Sequence, residues 1–196
     1  FVAIDRATRW VFVQIRPHKT AAAARAFLAA TAKAAPFNIQ YVLTDNGSEF
    51  TDRLFNQQKQ ASGEHGFDQL CTILSIEHRL TKPRHPQTNG MVERFNGRIA
   101  DVLATHRFHS GEDLALTIER YVYLYNQHLP QQALNHKTPI QALKEWRKNT
   151  SGVYKMIGYV LRDMQVIVVQ CPLNNPPVVT VPPDTCVEAG SLIVKN

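Results

Sequence analysis

Cysteine is scarce here: Cys71, Cys171 and Cys186 are far apart, odd in number and form no Cys-x-x-Cys pair. That pattern excludes a disulfide framework and a zinc knuckle, and it suits a reduced, cytoplasmic setting. Long apolar runs are missing too. No stretch of about 18 apolar residues is present to span a bilayer, and no charged segment with an apolar core marks a signal at the start, so no membrane partner is expected. The chain opens on Phe1 inside an apolar run, without Met, as a fragment lacking its upstream part would. Nor is acidic charge in excess. With 22 Lys/Arg against 16 Asp/Glu the net charge is +6, which favours a polyanionic partner without bearing on fold.

What is present suffices for one domain with a real core: 196 residues, 44% of them hydrophobic, unlike a disordered chain. The excess positive charge lies entirely within residues 1–150, because residues 151–196 hold equal numbers of acidic and basic side chains. Composition shifts at the same place. After Lys148 come two apolar runs, Gln165 to Gln170 and Leu192 to Val194, around a stretch with Pro176-Pro177 and Pro182-Pro183. A boundary near 150 therefore separates a main unit, 1–150, from a tail, 151–196, that reads as a frameshifted or fused end.

Two short β-prone runs, Phe1 to Ile4 and Trp10 to Ile15, flank a polar connection at Asp5–Arg9 and predict a β-hairpin, although no Gly fixes the turn. Thr20 is placed to cap an Ala-rich helix running to Ala35, with Ala24, Phe27, Leu28 and Thr31 at helical spacing. Pro36 ends it. Ile39 to Thr44 is nearly all apolar, as a strand buried on both faces would be, and it delivers Asp45 at its carboxyl end, where open α/β sheets bind ligands. Residues 51–70 are polar and Gln-rich and predict a short helix followed by an irregular excursion. His65, Asp68 and Cys71 fit no zinc spacing and are assigned structural roles.

Ile76, His78 and Leu80 alternate as in a half-buried strand. It feeds KPRHPQTNGMVERFNGR, residues 82–98: a basic, proline-broken loop, an Asn89-Gly90 turn, then a helix. That helix carries the apolar stripe Phe95, Ile99, Val102 and Leu103, with Arg94, Arg98, Asp101 and Thr105 on another face. An acid at a helix start ordinarily compensates the helix dipole, which is an adequate account of a lone Glu93. An ion pair with Asp101 is an equally plain account of Arg98. Further helices are predicted from about Glu112 to Gln127 and from Pro139 to about Lys148, the latter capped by Thr138.

Three segments, VLTDNGSEF at 42–50, KPRHPQTNGMVERFNGR at 82–98 and YNQHLPQQALNHKTPIQAL at 125–143, occur in one order that resembles the catalytic core of DDE-type transposases and integrases. This is the retroviral-integrase superfamily, and bacterial insertion-sequence transposases in particular. The resemblance covers residues 1 to about 148 and rests on the three motifs together. It implies an α/β, RNase H-like fold, a mixed sheet flanked by helices, and metal-dependent cleavage and strand transfer of DNA. Two Mg²⁺ or Mn²⁺ ions about 3.5–4 Å apart would neutralise the attacking and leaving oxygens, held by hard carboxylate donors. Asp45 then takes the place of the second metal-binding acid and Glu93 that of the third.

Asp5 does not complete the set. In the family the first acid lies on the first strand, whereas Asp5–Arg9 resembles the later hairpin, and Asp45 follows Asp5 by only 40 positions. The first, central strand and its acid are therefore expected upstream of Phe1, leaving a fragment that is inactive alone. The alternative placement is that Val166–Val169 fills the central position. The longer Asp45-to-Glu93 spacing reflects an insertion at 56–70, which is thermodynamically cheap, since doubling a loop costs about 0.6 kcal/mol.

For DNA, Lys82, Arg84, Arg94 and Arg98 are the candidate phosphate contacts. Gln87, Thr88, Asn89 and Asn96 are candidates for sugar, phosphate or base edges. The implied partners are element ends and target DNA, with self-association of the full-length protein, in a bacterial, nucleoid-associated location. The competing reading is a remnant, or a DNA-binding module that keeps the fold without the chemistry.

Overall fold

The computed structural model describes residues 1–53, 55, 60–81, 90–153 and 165–169. β1 (Val2–Asp5) and β2 (Val11–Val13) form the expected antiparallel hairpin, with Ala3 opposite Phe12. The turn lacks glycine. Arg9 instead takes a left-handed backbone (φ 62°), its N–H donating to the Asp5 carbonyl at 2.9 Å. Helix α1 (Ala21–Ala34) starts where predicted, Thr20 Oγ1 accepting from the Ala23 N–H, and buries Ala24, Phe27, Leu28 and Thr31. β3 (Tyr41–Thr44) and β4 (Glu77–Leu80) pair in parallel, Thr44 opposite Leu80.

Between β3 and β4 the described residues hold one helix, later than the short helix expected within 51–70; residues 54 and 56–59 lie outside the described residues. α2 spans Gly66–Ile73, because His65 accepts the Phe67 N–H through Nδ1 (3.2 Å) and because Phe67 and Cys71 have a core to enter. His65 is thus a cap and Cys71 a core residue. Burial pushes the Cys71 thiol up to about 12.

α3 (Gly90–Thr105) and α4 (Gly111–Gln127) cover one face of the sheet. Val92, Phe95, Ile99 and Leu103 from α3 and Ile118 and Tyr125 from α4 join Val2, Ile4, Val11 and Leu43 in one core. α1 and α2 contribute to the core on the other face, with Ala3, Val42, Phe50 and Ile76. Alternate residues of β1 and β3 point into different cores, as the period-2 geometry of a strand requires.

The third motif proves structural at its start. The Asn126 side chain, buried on α4, donates to the Val11 carbonyl (2.8 Å) and accepts from the Val11 N–H (2.9 Å), satisfying the backbone of edge strand β2 as another strand would. α5 (Pro139–Val153) begins with a reciprocal cap: Thr138 Oγ1 accepts from the Gln141 N–H and Gln141 Oε1 from the Thr138 N–H.

The sheet order is β2-β1-β5-β3-β4. Its centre is β5 (Gln165–Val169), antiparallel to β1 with Ala3 opposite Val168, and parallel to β3 with Thr44 opposite Val168. An empty central position and a wholly irregular tail are therefore not what this structure contains; the alternative placement of Val166–Val169 is. The physical reason lies in backbone pairing. β1 and β3 each present a row of N–H and C=O groups toward the centre, and only a strand satisfies both rows. The sheet thus draws on residues from both sides of position 150, and α5 itself runs through that position.

Candidate functional site

Two aspartates stand at the carboxyl ends of strands in this sheet. Asp5, closing β1, is fully buried, and its Oδ2 accepts from both the Thr8 N–H (2.7 Å) and the Thr8 hydroxyl (2.6 Å). Oδ1 is buried without a hydrogen-bond partner. Burial raises the carboxyl above its ordinary value, and the Thr8 bonds only partly counter this. Such a group has no room for an external ligand. Asp45, following β3, is half-buried. Its Oδ1 accepts the Gly47 N–H at 2.9 Å, and Oδ2 has no partner among the described residues.

The turn after Asp45 is tightly built. The Asn46 side chain donates to the Thr81 carbonyl (3.0 Å) and accepts from Arg53 (3.1 Å), tying the end of β3 to the end of β4. The Phe50 N–H donates back to Gly47. A Cβ at Gly47 would lie 2.5 Å from Glu49 Oε2, so a side chain here would have to displace the Glu49 carboxylate. The Glu49 side chain is itself fully enclosed, with Lys19 Nζ 3.3 Å from Oε1 and no hydrogen bond to either oxygen. Burying a carboxylate this way is costly unless it is paired. Sequence reasoning passed over Glu49, and its only signal was a place four residues beyond Asp45.

Glu93 lies in the first turn of α3 and is exposed. Beside it, Arg94 Nε donates to the Gly90 carbonyl (2.9 Å). Arg98 does not pair with Asp101 in the structure: it donates to Gln131 Oε1 (3.2 Å), with its guanidinium 5.6 Å from the Tyr125 ring centre. Asn96, a candidate DNA contact, has its Oδ1 buried without a hydrogen-bond partner. Lys82, Arg84, Gln87, Thr88 and Asn89 lie outside the described residues.

Arg9 belongs with the α3 cations, which the sequence did not reveal. The Tyr125 hydroxyl lies within electrostatic reach of Arg98, Arg9 and Arg94, in that order of strength. Burial is the larger influence and holds the phenol above its ordinary value. The same burial pulls Arg9 down, and the positive charge of Arg94 adds to the effect.

Asp45 and Glu93 offer the hard oxygen donors that Mg²⁺ prefers. They fit a divalent ion in kind. They do not fit a pair of ions in number, since among the described residues no group of three or more His, Cys, Asp or Glu side chains stands together to hold a metal. The strand beside β3 does not help, for Gln165–Val169 contains no acid.

Two family models described as "Integrase core domain" match the chain, one over residues 1–86 and the other over 74–139. The putative integrase ORF3 of Spiroplasma virus SpV1-C74 is 33% identical over 106 residues, which is 54% of this chain and 29% of that protein. An uncharacterized 39.2 kDa protein of insertion element IS476 from Xanthomonas euvesicatoria is 35% identical over 107 residues, 54% of this chain and 28% of the other. The aligned parts thus span under a third of either relative.

Among solved structures, the catalytic core domain of BIV integrase superposes with a TM-score of 0.57 at 21% identity, covering 76% of this chain and 88% of that one. A simian T-cell lymphotropic virus intasome, solved with the PP2A regulatory subunit B56 gamma, gives 0.53 at 21% identity, covering 72% and 46%. At that identity the likeness establishes the fold, an RNase H-like α/β sheet with flanking helices. Among the described residues no helix is long and apolar enough to cross a membrane. With sequence models matching from residue 1 to residue 139 and the fold agreeing, this chain belongs to the integrase core-domain family of DDE-type transposases and integrases, a family of DNA integration and transposition.

Proposed function

We propose that this chain is the core of a DNA-joining enzyme acting on phosphodiester bonds with a divalent ion, Mg²⁺ or Mn²⁺, held by Asp45 and Glu93. The observation carrying this reading is the state of Asp45: half-buried at the end of a core strand, one oxygen fixed by the Gly47 N–H and the other unpartnered among the described residues. The bound ion would supply charge neutralisation at the oxygens that attack and leave. The chain's own part is to hold two carboxylates on separate elements. Arg94 and Arg98, with Lys82 and Arg84 of the basic loop, offset backbone phosphate charge, while Gln87, Thr88, Asn89 and Asn96 are the hydrogen-bonding candidates. Element ends and target DNA are the proposed partners, with self-association on paired ends.

One observation favours a second reading, a DNA-binding module without the chemistry: the central strand carries no acid beside β3. The test is cleavage and strand transfer on labelled duplex DNA with Mg²⁺ or Mn²⁺, run for the parent chain, Asp45→Asn and Glu93→Gln. The first reading predicts products that both substitutions abolish. No Mn²⁺ bound at Asp45 and Glu93 in the parent, together with DNA binding whose salt dependence flattens in Lys82→Ala, would establish the second.

A further inference from the structure

Three polar side chains that the proposed chemistry leaves unused form one line into the Asp45 turn. Asp68, in the first turn of α2, meets His78 Nδ1 through Oδ1 in a short contact. His78, on β4, places Nε2 2.8 Å from Thr44 Oγ1, and the same hydroxyl lies 3.0 Å from the Asp45 carbonyl oxygen. The line is shielded. Thr44 is fully buried, the His78 and Asp68 side chains are 6% and 15% exposed, and the Phe67 ring sits 4.9 Å from the imidazole, tilted towards edge-on.

The hydrogen bonds fix the roles. Thr44 Oγ1 donates to the Asp45 carbonyl, so Nε2 carries a proton and donates to Thr44 Oγ1, while a further proton lies between Nδ1 and Asp68 Oδ1. The hydroxyl's one proton is thus directed at the Asp45 carbonyl while its oxygen accepts from Nε2. Its orientation is therefore set from the α2 side. An acid, an imidazole and a hydroxyl in this order would suggest a nucleophile, but Thr44 is closed to solvent and cannot meet a substrate. What the hydroxyl does touch is the backbone of the residue whose side chain the Gly47 N–H holds.

We propose that Asp68, His78 and Thr44 are positioning residues for Asp45. The relay fixes the Asp45 peptide from behind while Asn46 and Gly47 fix the turn in front, giving α2 a direct hold on the candidate metal-binding carboxylate. This rests on the proposed role of Asp45. The test uses the full chain with Thr44→Val, Thr44→Ser, His78→Phe and Thr44→Val/His78→Phe. The readouts are the ¹⁵N–¹H resonances of Asn46 and Gly47 and the affinity for Mn²⁺ read from broadening of those amides, with thermal unfolding followed separately.

Thr44→Val and His78→Phe should each move the two resonances and weaken Mn²⁺ about tenfold, the scale at which outer hydrogen-bond partners act on metal affinity. Thr44→Ser should restore both, and the double variant should be no worse than the worse single one. Parent-like resonances in Thr44→Val, additive effects in the double variant, or no rescue by serine would overturn the relay. Should the parent itself show no Mn²⁺ broadening at Asp45, the metal reading fails, and the relay is decided by the resonance shifts alone.

Discussion

Asp5 and Asp45 are the same residue type at equivalent places, each just where a strand of one sheet ends, and the fold treats them in opposite ways. Asp5 is sealed: two bonds from Thr8 to a single oxygen, no exposure and a carboxyl raised by burial. Asp45 is held by one backbone N–H and has an oxygen to spare among the described residues. The length of the turn makes the difference. The five-residue connection at Asp5 folds back into a hairpin and brings Thr8 onto the carboxylate, whereas Asn46 and Gly47 lead the chain away from Asp45 towards β4. A strand-end carboxylate is a candidate site only when its turn leaves it open.

The largest expected effect falls on the strand between those two aspartates. Ile167→Pro removes a donor from a strand paired on both sides, where proline is essentially not tolerated, and should leave the chain unfolded at 25 °C by circular dichroism. Next, Thr8→Val takes away the hydroxyl bond at Asp5 and leaves a buried carboxylate short of a partner, a loss of about 1–3 kcal/mol in urea unfolding. Asp45→Asn, by contrast, should shift stability by less than about 0.5 kcal/mol, as changes outside packed or buried polar features do.

A smaller, pH-dependent effect concerns Asp5. The raised carboxyl of Asp5 means that the folded state holds its proton more readily than the unfolded chain, so this contribution is fully present below the unfolded value of 3.8 and is lost as pH rises through the folded one. The stability difference between parent and Asp5→Asn should therefore change between pH 3 and pH 6, with the parent losing ground as pH rises.

Much of this was legible in the sequence. The hairpin, the Thr20 and Thr138 caps, the buried strand before Asp45 and the amphipathic α3 follow from local periodicity and capping chemistry, and each formed within a few residues of its predicted place. Long-range matters were less legible. Nothing local in Gln165–Val169 says that it pairs with Val2–Asp5 and Tyr41–Thr44, because that depends on unsatisfied backbone far away in the chain. The relay through His78 was hidden for the same reason. Asp68 fits no zinc spacing with His65 and Cys71, His78 reads only as part of an alternating strand, and their meeting with Thr44 depends on α2 lying against β4. Arg9 joined the α3 cations only through tertiary packing of the hairpin on α4.

The most direct test of the contrast is a Mn²⁺ titration of the ¹⁵N-labelled chain, comparing amide broadening at Asp45–Gly47 with that at Asp5–Thr8. Saturable broadening at Asp45–Gly47 that Asp45→Asn removes, with Asp5–Thr8 no broader than distance from that ion requires, is the predicted result. Broadening centred on Asp5–Thr8, or none at Asp45–Gly47, would contradict it.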